Sequence, residues 1–488
     1  MIRPYHNHTG AWIAITAFLI TSLLLPGRVG AEGTYEIRDE SSATDEILME
    51  AYQPGFNADG PNLNLDRATI LYVDILNFNE VIDIYTNKYE NTTDIAVWGP
   101  SQDVLSDTPV FTYNVQQNDT GYVGSFAEIE DVQNIATRPR APATFTPSSG
   151  TGTYKIVLYT NSFGNNLSDH VRFFDIMVRD NKGTSNTIDD RLRRGRLWTD
   201  HLAMNGRNFN TAMNTDFYII DAEDNNTFYE GYLWEGDMNG IQPFGFHMFV
   251  NRNGAYPSDH HRTSVGNGAT PTPQMIPELQ MYFNYPEKPV VRPIIPTVKD
   301  LIFEADCQGG LPNGGNFKFY TNGTWTFEVV IDENGDDIYD RGVERTITGQ
   351  ATPGNNTIFW DGKLADGSDA PNGLEISIIL RTKSSEIHFP FYDVENQQST
   401  TGPTFNLLPT DNETSQYYYW DDRPAGGSKS PAGGSLTNHT WTDAIGNETI
   451  VDTWKVAFED IAEYELKYNC NAANVILKKE VDNPRPAE

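Results

Sequence analysis

The residues with the clearest potential for chemistry are the acidic side chains that follow a predicted strand near position 330. The segment 332–340 reads Asp-Glu-Asn-Gly-Asp-Asp-Ile-Tyr-Asp. A curled loop would aim its alternate positions inward, and Ca²⁺ takes about six to eight oxygen ligands at short range. The sequence therefore predicts a structural calcium site formed by Asp332, Asn334, Asp336, the carbonyl of Ile338, and Asp340.

Two departures from the calcium-loop pattern leave an acidic hairpin turn without metal as the alternative. The sixth position, where Gly gives the sharp turn, is Asp337, and the twelfth is Val343, with Glu344 one residue later. Asp tolerates left-handed φ better than most residues, so the first departure is compatible with a loop. The second places the closing bidentate ligand out of register.

A second constellation combines aromatic and acidic side chains at Tyr417-Tyr-Tyr-Trp420, followed by Asp421 and Asp422. An exposed Trp420 would stack on a pyranose ring while the two carboxylates accept sugar hydroxyls. The alternative is a strand with core aromatics that ends in a turn, and the pattern favours this second interpretation. The three residues remain the candidate ligand contacts.

Motifs that would indicate catalysis do not occur in the sequence. It contains no Gly-x-Ser-x-Gly, no His-Glu-x-x-His and no phosphate-binding Gly-x-x-x-x-Gly-Lys-Ser/Thr. The adjacent His260 and His261 point in different directions, which makes two-ligand zinc geometry awkward. We therefore expect a protein that is not an enzyme.

The chain has two cysteines, Cys307 and Cys470. They bracket a predicted structural unit, and an exported protein can keep a disulfide. We predict that they pair, with two separate buried thiols as the alternative, because a sequence does not reveal the distance between two Cα atoms.

Export is predicted from residues 1–31. Arg3 and two histidines precede an apolar run over 11–26, and Val29-Gly30-Ala31 fits the small-residue cleavage pattern. The run is short for a bilayer span of ~20 residues, which favours a removed signal peptide over an uncleaved anchor. Because no later segment is apolar enough to span, we expect no membrane span in the mature chain and a secreted, extracellular or cell-surface location.

Composition limits the fold and the partners. The net charge of −33 disfavours a nucleic-acid partner, which needs a basic face, and favours divalent cations. Aromatics make up 12% of the chain, with 40 Gly and 28 Pro, a mix typical of strands and tight turns. We predict an all-β protein of several tandem β-sandwich (Ig-like) domains.

Composition shifts and turn clusters suggest the following boundaries along the chain. After the signal peptide (1–31) we expect an N-terminal β-sandwich (32–182), a second β domain (183–285), a Pro-rich linker (286–299), an Ig-like module (300–385), a further β domain (386–472), and the start of a truncated surface repeat (473–488). The last stretch begins like a strand and stops, so we expect the chain to be a fragment.

Four segments in the C-terminal part carry a resemblance. Residues 329–340 and 359–373, the second with Trp360-Asp-Gly and Pro371-Asn-Gly, resemble the Ig-like module of flagellar hook-capping type. Residues 388–396 (His-Phe-Pro-Phe-Tyr-Asp-Val-Glu-Asn) and 475–484 resemble segments of modular bacterial surface proteins. The resemblance implies a bacterial cell-surface, adhesion or extracellular-matrix protein whose partner is a surface or matrix protein or a glycan. A carbohydrate-binding or carbohydrate-active protein is the alternative.

Overall fold

The fold is described from a computed structural model of the chain. The residues it describes are 32–37, 47–50, 69–88, 93–104, 106–132, 135, 138–159, 170–184, 190–206, 213, 215–224, 227–241, 246–255, 276–292, 297–333, 344–392, 401–409, 416–422, 426–430, 434–441, 450–470 and 477–478.

Nearly all regular structure in the described residues is β-strand, with two short helices, as the composition predicts. Residues 32–291 contain β1 (Glu32–Gly33), α1 (Thr34–Ile37), β2 (Ile47–Glu50), β3 (Leu71–Ile75), β4 (Glu80–Lys88), β5 (Thr93–Trp98), β6 (Phe111–Val115), α2 (Phe126–Val132), β7 (Ala143–Phe145), β8 (Gly152–Tyr159), β9 (His170–Asp180), β10 (Arg191–Arg193), β11 (Leu197–Thr199), β12 (His201–Gly206), β13 (Asp216–Asp224), β14 (Tyr229–Asp237), β15 (Phe246–Phe249), β16 (Gln280–Tyr282) and β17 (Val290–Val291). Residues 298–383 contain β18 (Val298–Gln308), β19 (Leu311–Thr321), β20 (Trp325–Asp332), β21 (Arg345–Ala351), β22 (Gly354–Trp360) and β23 (Leu374–Lys383). The remaining strands are β24 (Glu386–Tyr392), β25 (Thr404–Leu408), β26 (Tyr419–Trp420), β27 (Ile450–Val456), β28 (Glu459–Tyr468) and β29 (Leu477–Lys478).

The first body consists of two large sheets that share one apolar core. One sheet has 11 strands in the order β26-β27-β24-β15-β12-β2-β9-β4-β7, with β1 and β10 also paired to β9. The other has 10 strands in the order β17-β14-β13-β16-β11-β3-β8-β5-β6, with β25 on β14. Period-two alternation generates this core: in β3, Leu71, Val73 and Ile75 are buried while Tyr72 and Asp74 between them are half-buried.

The second body is smaller and has its own core. Its sheets are β18-β19-β22 and β21-β20-β23-β28-β29, and they enclose Phe303, Phe317, Trp360 and Tyr468. The turn after β22 has the chemistry expected from sequence, because Gly362, Gly367 and Gly373 all have positive φ. Trp360 at its start is fully buried.

The two bodies are interleaved along the chain, which corrects the predicted domain order. Strand β24 (Glu386–Tyr392) leaves the second body and pairs with β15 and β27 in the first, and β28 (Glu459–Tyr468) then returns to pair with β23. Residues 386–472 are therefore not a separate domain, and the Ig-like unit predicted for 300–385 is completed by β28. The bodies do not follow one another in tandem.

Other predicted boundaries are also wrong. Strands on the two sides of residue 182 share sheets, because β2 pairs with β12 and β3 pairs with β11. Within the predicted linker, Val290–Val291 pairs with β14, and Leu477–Lys478 of the predicted repeat adds an edge strand to β28. Composition identifies strands, but the choice of partner depends on packing between residues far apart in sequence.

Within the described ranges, no helix is long and apolar enough to cross a bilayer.

Candidate functional site

The predicted calcium loop lies only partly within the described residues. Asp332 ends β20 and is almost fully buried, while Asn334, Asp336, Ile338 and Asp340 lie outside the described part of the chain. The neighbouring Glu333 accepts backbone hydrogen bonds from Arg345 (3.2 Å) and Ala365 (2.5 Å). Calcium binding here stays a prediction, and nowhere among the described residues do three or more His, Cys, Asp or Glu side chains form a group able to hold a metal.

The two cysteines form a disulfide, with Cα atoms 6.0 Å apart. Cys307 lies near the end of β18 and Cys470 follows β28, so the bond joins two strands of the second body. The two cysteines are 163 positions apart in sequence, and strands β24 to β27 between them belong to the first body. The disulfide therefore joins parts of the second body that lie on either side, in sequence, of the strands inserted into the first body.

Trp420, Asp421 and Asp422 lie at the edge of the larger sheet but do not form an open sugar platform. The half-buried Trp420 stacks on His439, with ring centroids 4.9 Å apart and planes 9° from parallel, and its indole N–H donates to Ser428. Asp421 and Asp422 are 3% and 1% exposed. Carboxylates so deeply buried are poorly placed to accept hydroxyls from a sugar in solvent.

Asp422 instead belongs to a buried imidazole–carboxylate array that sequence reasoning missed. One of its oxygens bonds Nε2 of His439 at 2.5 Å, and the other accepts the backbone N–H of Asp452 at 3.2 Å. Nδ1 of the same imidazole contacts the hydroxyl of Thr453. Burial raises the pKa of Asp422, while the hydrogen bond and charge of His439 oppose that rise.

A second imidazole–carboxylate pair joins strands β24 and β27 beside this array. His388 of β24 contacts Asp452 of β27 through Nδ1 at 2.9 Å, and Glu386 through Nε2 at 3.4 Å. Burial lowers the pKa of His388, but the charges and hydrogen bonds of the two carboxylates outweigh it and raise the pKa to about 9. The imidazole is therefore a buried cation at neutral pH, and it stacks on Trp454.

The loop after β15 covers this second pair closely. Gly254 has φ of +72°, and a Cβ there would lie 2.4 Å from Oδ2 of Asp452 and 2.7 Å from Nδ1 of His388. The backbone N–H of Ala255 also donates to Asp452. Only glycine combines this conformation with this approach.

The chemical capacity of the array is limited by access. Asp422, His439 and Thr453 stand in the carboxylate–imidazole–hydroxyl order that activates nucleophiles, but they are 1%, 0% and 2% exposed. A substrate needs contact with the hydroxyl oxygen, and burial denies it. The contacts of these groups hold His439, which lies outside the strands, between the end of β26 and β27 of the large sheet. Of the residues in the two pairs, only His388 has a sequence signal of its own, as a single polar residue inside an apolar run at Ile387-His388-Phe389.

Comparison with known proteins gives no family: the sequence matches no protein-family model and no curated protein.

Proposed function

We propose that this protein is a secreted or cell-surface structural and adhesive element, without catalytic activity of its own. The observation that carries the proposal is a two-stranded antiparallel ribbon, residues 374–392 against 450–468, that runs through both bodies. We call it the shared ribbon. Lys383 pairs with Glu459 and Glu386 with Val456, so the register passes from one body to the other without a shift.

Hydrogen bonds continue where the shared ribbon crosses between the bodies. Ser384 donates its backbone N–H to the carbonyl of Phe458 (3.2 Å), and Ala457 donates to the carbonyl of Ser385 (2.8 Å). The hydroxyl of Ser385 also bonds Asp221 on β13. At about 3.4 Å per residue the ribbon extends for about 60 Å. A continuous ladder resists bending at the crossing. An enzyme with a hinge and a mobile cleft would need the chain to bend there.

The ionisable groups of the candidate site support a passive role. The two imidazoles and their carboxylate partners are buried and bonded to one another. Together with the predicted export signal, the acidic charge and the clamping disulfide, this favours a stiff exported element that presents a surface to a matrix or cell-surface partner. Calcium in the 332–340 loop would stiffen it further.

The proposal is tested by three measurements on the exported protein. Pulling on single molecules held at residues 32 and 470 after reduction of the disulfide is expected to unfold both bodies in one cooperative event. Surfaces coated with matrix proteins and with glycans are expected to retain the protein, with no turnover of either polymer.

Two outcomes contradict this proposal. Saturable hydrolysis of a polysaccharide or protein would make the chain an enzyme. Binding to free glycans that Trp420→Ala abolishes would favour the carbohydrate-binding alternative.

A further inference from the structure

Asp175 is a buried carboxylate in apolar surroundings. It lies within β9, is 0% exposed, and neither of its oxygens has a hydrogen-bond partner among the described residues. Phe173 and Met177, two positions away on each side, and Tyr85 opposite it on β4 belong to one apolar cluster. Buried carboxylates are normally paired or hydrogen-bonded, so this site lacks a partner.

Two more carboxylates lie close to Asp175, and both have partners. Glu32 accepts three backbone N–H groups, those of residues 195–197, at 2.7–3.0 Å. Glu36 accepts the backbone N–H of Gly33 and an amide N–H of Asn284. Burial raises the pKa of Glu32 to about 7, and burial together with the charge of Glu32 raises that of Glu36 to about 8.

The same two neighbours affect Asp175. Its burial raises its pKa well above the ordinary value, and the charges of Glu36 and Glu32 raise it further. The cluster therefore holds three carboxyl groups whose raised pKa values favour the protonated, uncharged form in this low-dielectric site.

Two of the nearby arginines already pair with other carboxylates. Arg138 donates to Asp83 at 3.2 Å, and its second amino group lies 3.3 Å from the sulfur of Met177. The fully buried Arg196 pairs with Glu80 and Glu287. The charge of Arg138 lowers the pKa of Asp175 and that of Arg194 lowers the pKa of Glu36, but among the described residues no positive charge is in hydrogen-bond contact with Asp175.

The backbone nitrogen of Glu32 is placed to supply that charge. Glu32–Gly33 pairs with Ile176 and Asp175 of β9. The N–H of Glu32 lies close enough to Asp175 to lower its pKa, but does not meet hydrogen-bond geometry. The predicted cleavage site places the scissile bond between Ala31 and Glu32, so after cleavage this nitrogen is the α-amino group of the mature chain.

We propose that removal of the signal peptide after Ala31 creates an α-ammonium group on Glu32, which docks against Asp175 and locks the N-terminal strand into the fold. Cleavage by an export peptidase adds water across the Ala31–Glu32 bond. The released peptide takes the hydroxyl as a carboxylate, and the nitrogen takes a proton and then a second one from solvent. The uncharged amide with one donor becomes a cation with three.

The contacts next to Glu32 hold the N-terminal strand tightly against β9. Thr34 accepts the backbone N–H of Phe174 at 2.8 Å. A Cβ at Gly33 would lie 2.4 Å from the carbonyl oxygen of Phe174, so the strand can only be this close as glycine. Before cleavage this strand lacks its ion pair, and we expect the N-terminal strand of the precursor to dock fully only after export. The inference rests on the export part of the proposed function and not on its adhesive part.

The test compares two forms of the purified protein, one starting at Glu32 with a free amine and one retaining Gly30-Ala31. Each is made with and without Asp175→Asn. We expect the free-amine form to melt about 3–6 °C higher at pH 7, and Asp175→Asn to remove most of that difference. Asp180→Asn is the matched control, since Asp180 lies on the same strand but pairs with Arg193 near the surface, and it should lower both forms equally. Equal melting temperatures, or a difference that survives Asp175→Asn, would overturn the docking.

A second measurement needs no variant. The free α-amine has an ordinary pKa of about 7.7–8.0, and in the docked state we expect a pKa at least about one unit higher and slow reaction with amine-selective reagents until the protein is unfolded. An ordinary pKa with full reactivity would overturn the ion pair. Sequencing of the exported protein is expected to begin at Glu32, and another start would overturn the processing step. Neither result depends on adhesion.

Discussion

Ser384 donates its backbone N–H to the carbonyl of Phe458 at 3.2 Å, at the point where the shared ribbon passes from the second body to the first. The hydroxyl of Ser384 also accepts the backbone N–H of Phe458 at 3.1 Å. Ser384 thus makes one backbone rung of the ladder and one side-chain hydrogen bond to the same residue, and this crossing is a mechanical link between the bodies.

Replacing the donor at this crossing is expected to uncouple the two bodies. Ser384→Pro removes the backbone N–H and leaves the carbonyl of Phe458 without its partner, which costs about 1–3 kcal/mol. We expect one thermal transition to split into two in calorimetry. Ser384→Ala is the control, because it keeps the backbone rung, and it should retain the single transition. A single transition in the proline variant would argue that the bodies are coupled elsewhere.

Breaking the disulfide is expected to lower the free energy of unfolding. The bond joins Cys307 and Cys470 across a sequence separation of 163 residues. Opening so long a loop raises the conformational entropy of the unfolded chain and lowers the free energy of unfolding by about 2–5 kcal/mol. The double variant Cys307→Ser/Cys470→Ser should therefore show a lower urea midpoint than the oxidised protein. A reducing agent should lower the midpoint of the unmodified chain and leave the variant unchanged. Equal midpoints would show that the clamp adds nothing.

The His388–Asp452 pair predicts a loss of stability at alkaline pH. The folded pKa of His388, about 9, lies above the ordinary value of about 6.5. Its contribution is therefore complete below about pH 6.5 and is lost as the pH rises through 9, by about 3 kcal/mol at most.

The check is a series of urea titrations between pH 6 and 10. Asp452→Asn removes the charge that holds the proton on His388, and should flatten this part of the profile. A wild-type profile that is already flat across the window would contradict the pairing.

Substitution of Gly254 separates backbone strain from collision with the same pair. Gly254→Ala introduces a Cβ 2.4 Å from Asp452, whereas Gly426→Ala has a similar φ of +83° and no atom within 4 Å. Both changes incur backbone strain of about 1 kcal/mol, and Gly254→Ala should lose about 1–3 kcal/mol more from the displaced ion pair. Denaturant titration of the two variants gives the difference directly. If both lose the same amount, the loop does not bear on the pair.

Calcium is expected to raise the melting temperature through the 332–340 loop. Carboxylates at Asp336 and Asp340 are predicted ligands, so Asp336→Asn/Asp340→Asn should abolish both the heat of binding and the thermal shift. Asp366→Asn is the control, since Asp366 caps Ser368 in a different acidic turn. Titration calorimetry that shows no heat at millimolar calcium in the unmodified protein would leave the metal-free turn as the better interpretation.

The local features of this protein follow from its amino-acid sequence. Alternating apolar residues and Gly, Asn and Asp turns predicted an all-β chain, because strand periodicity and left-handed φ depend on a few neighbouring residues. The hairpin at Trp360-Asp-Gly follows from the same rule, with Gly362 and Gly373 at positive φ. Because the chain has two cysteines, Cys307 and Cys470 are each other's one possible partner within the chain.

Which strands pair with one another depends on contacts between distant parts of the chain. His388 and Asp452 are 64 residues apart, and nothing local to either reveals that β24 and β27 pair in the first body rather than the second. The missing partner of Asp175 is invisible for the same reason, since its burial arises from β1, β4 and α2 around it. Strand pairing depends on packing between segments that are distant in sequence. The alternative pairings compete through the packing of the whole fold, so no single segment carries a signature of its partner.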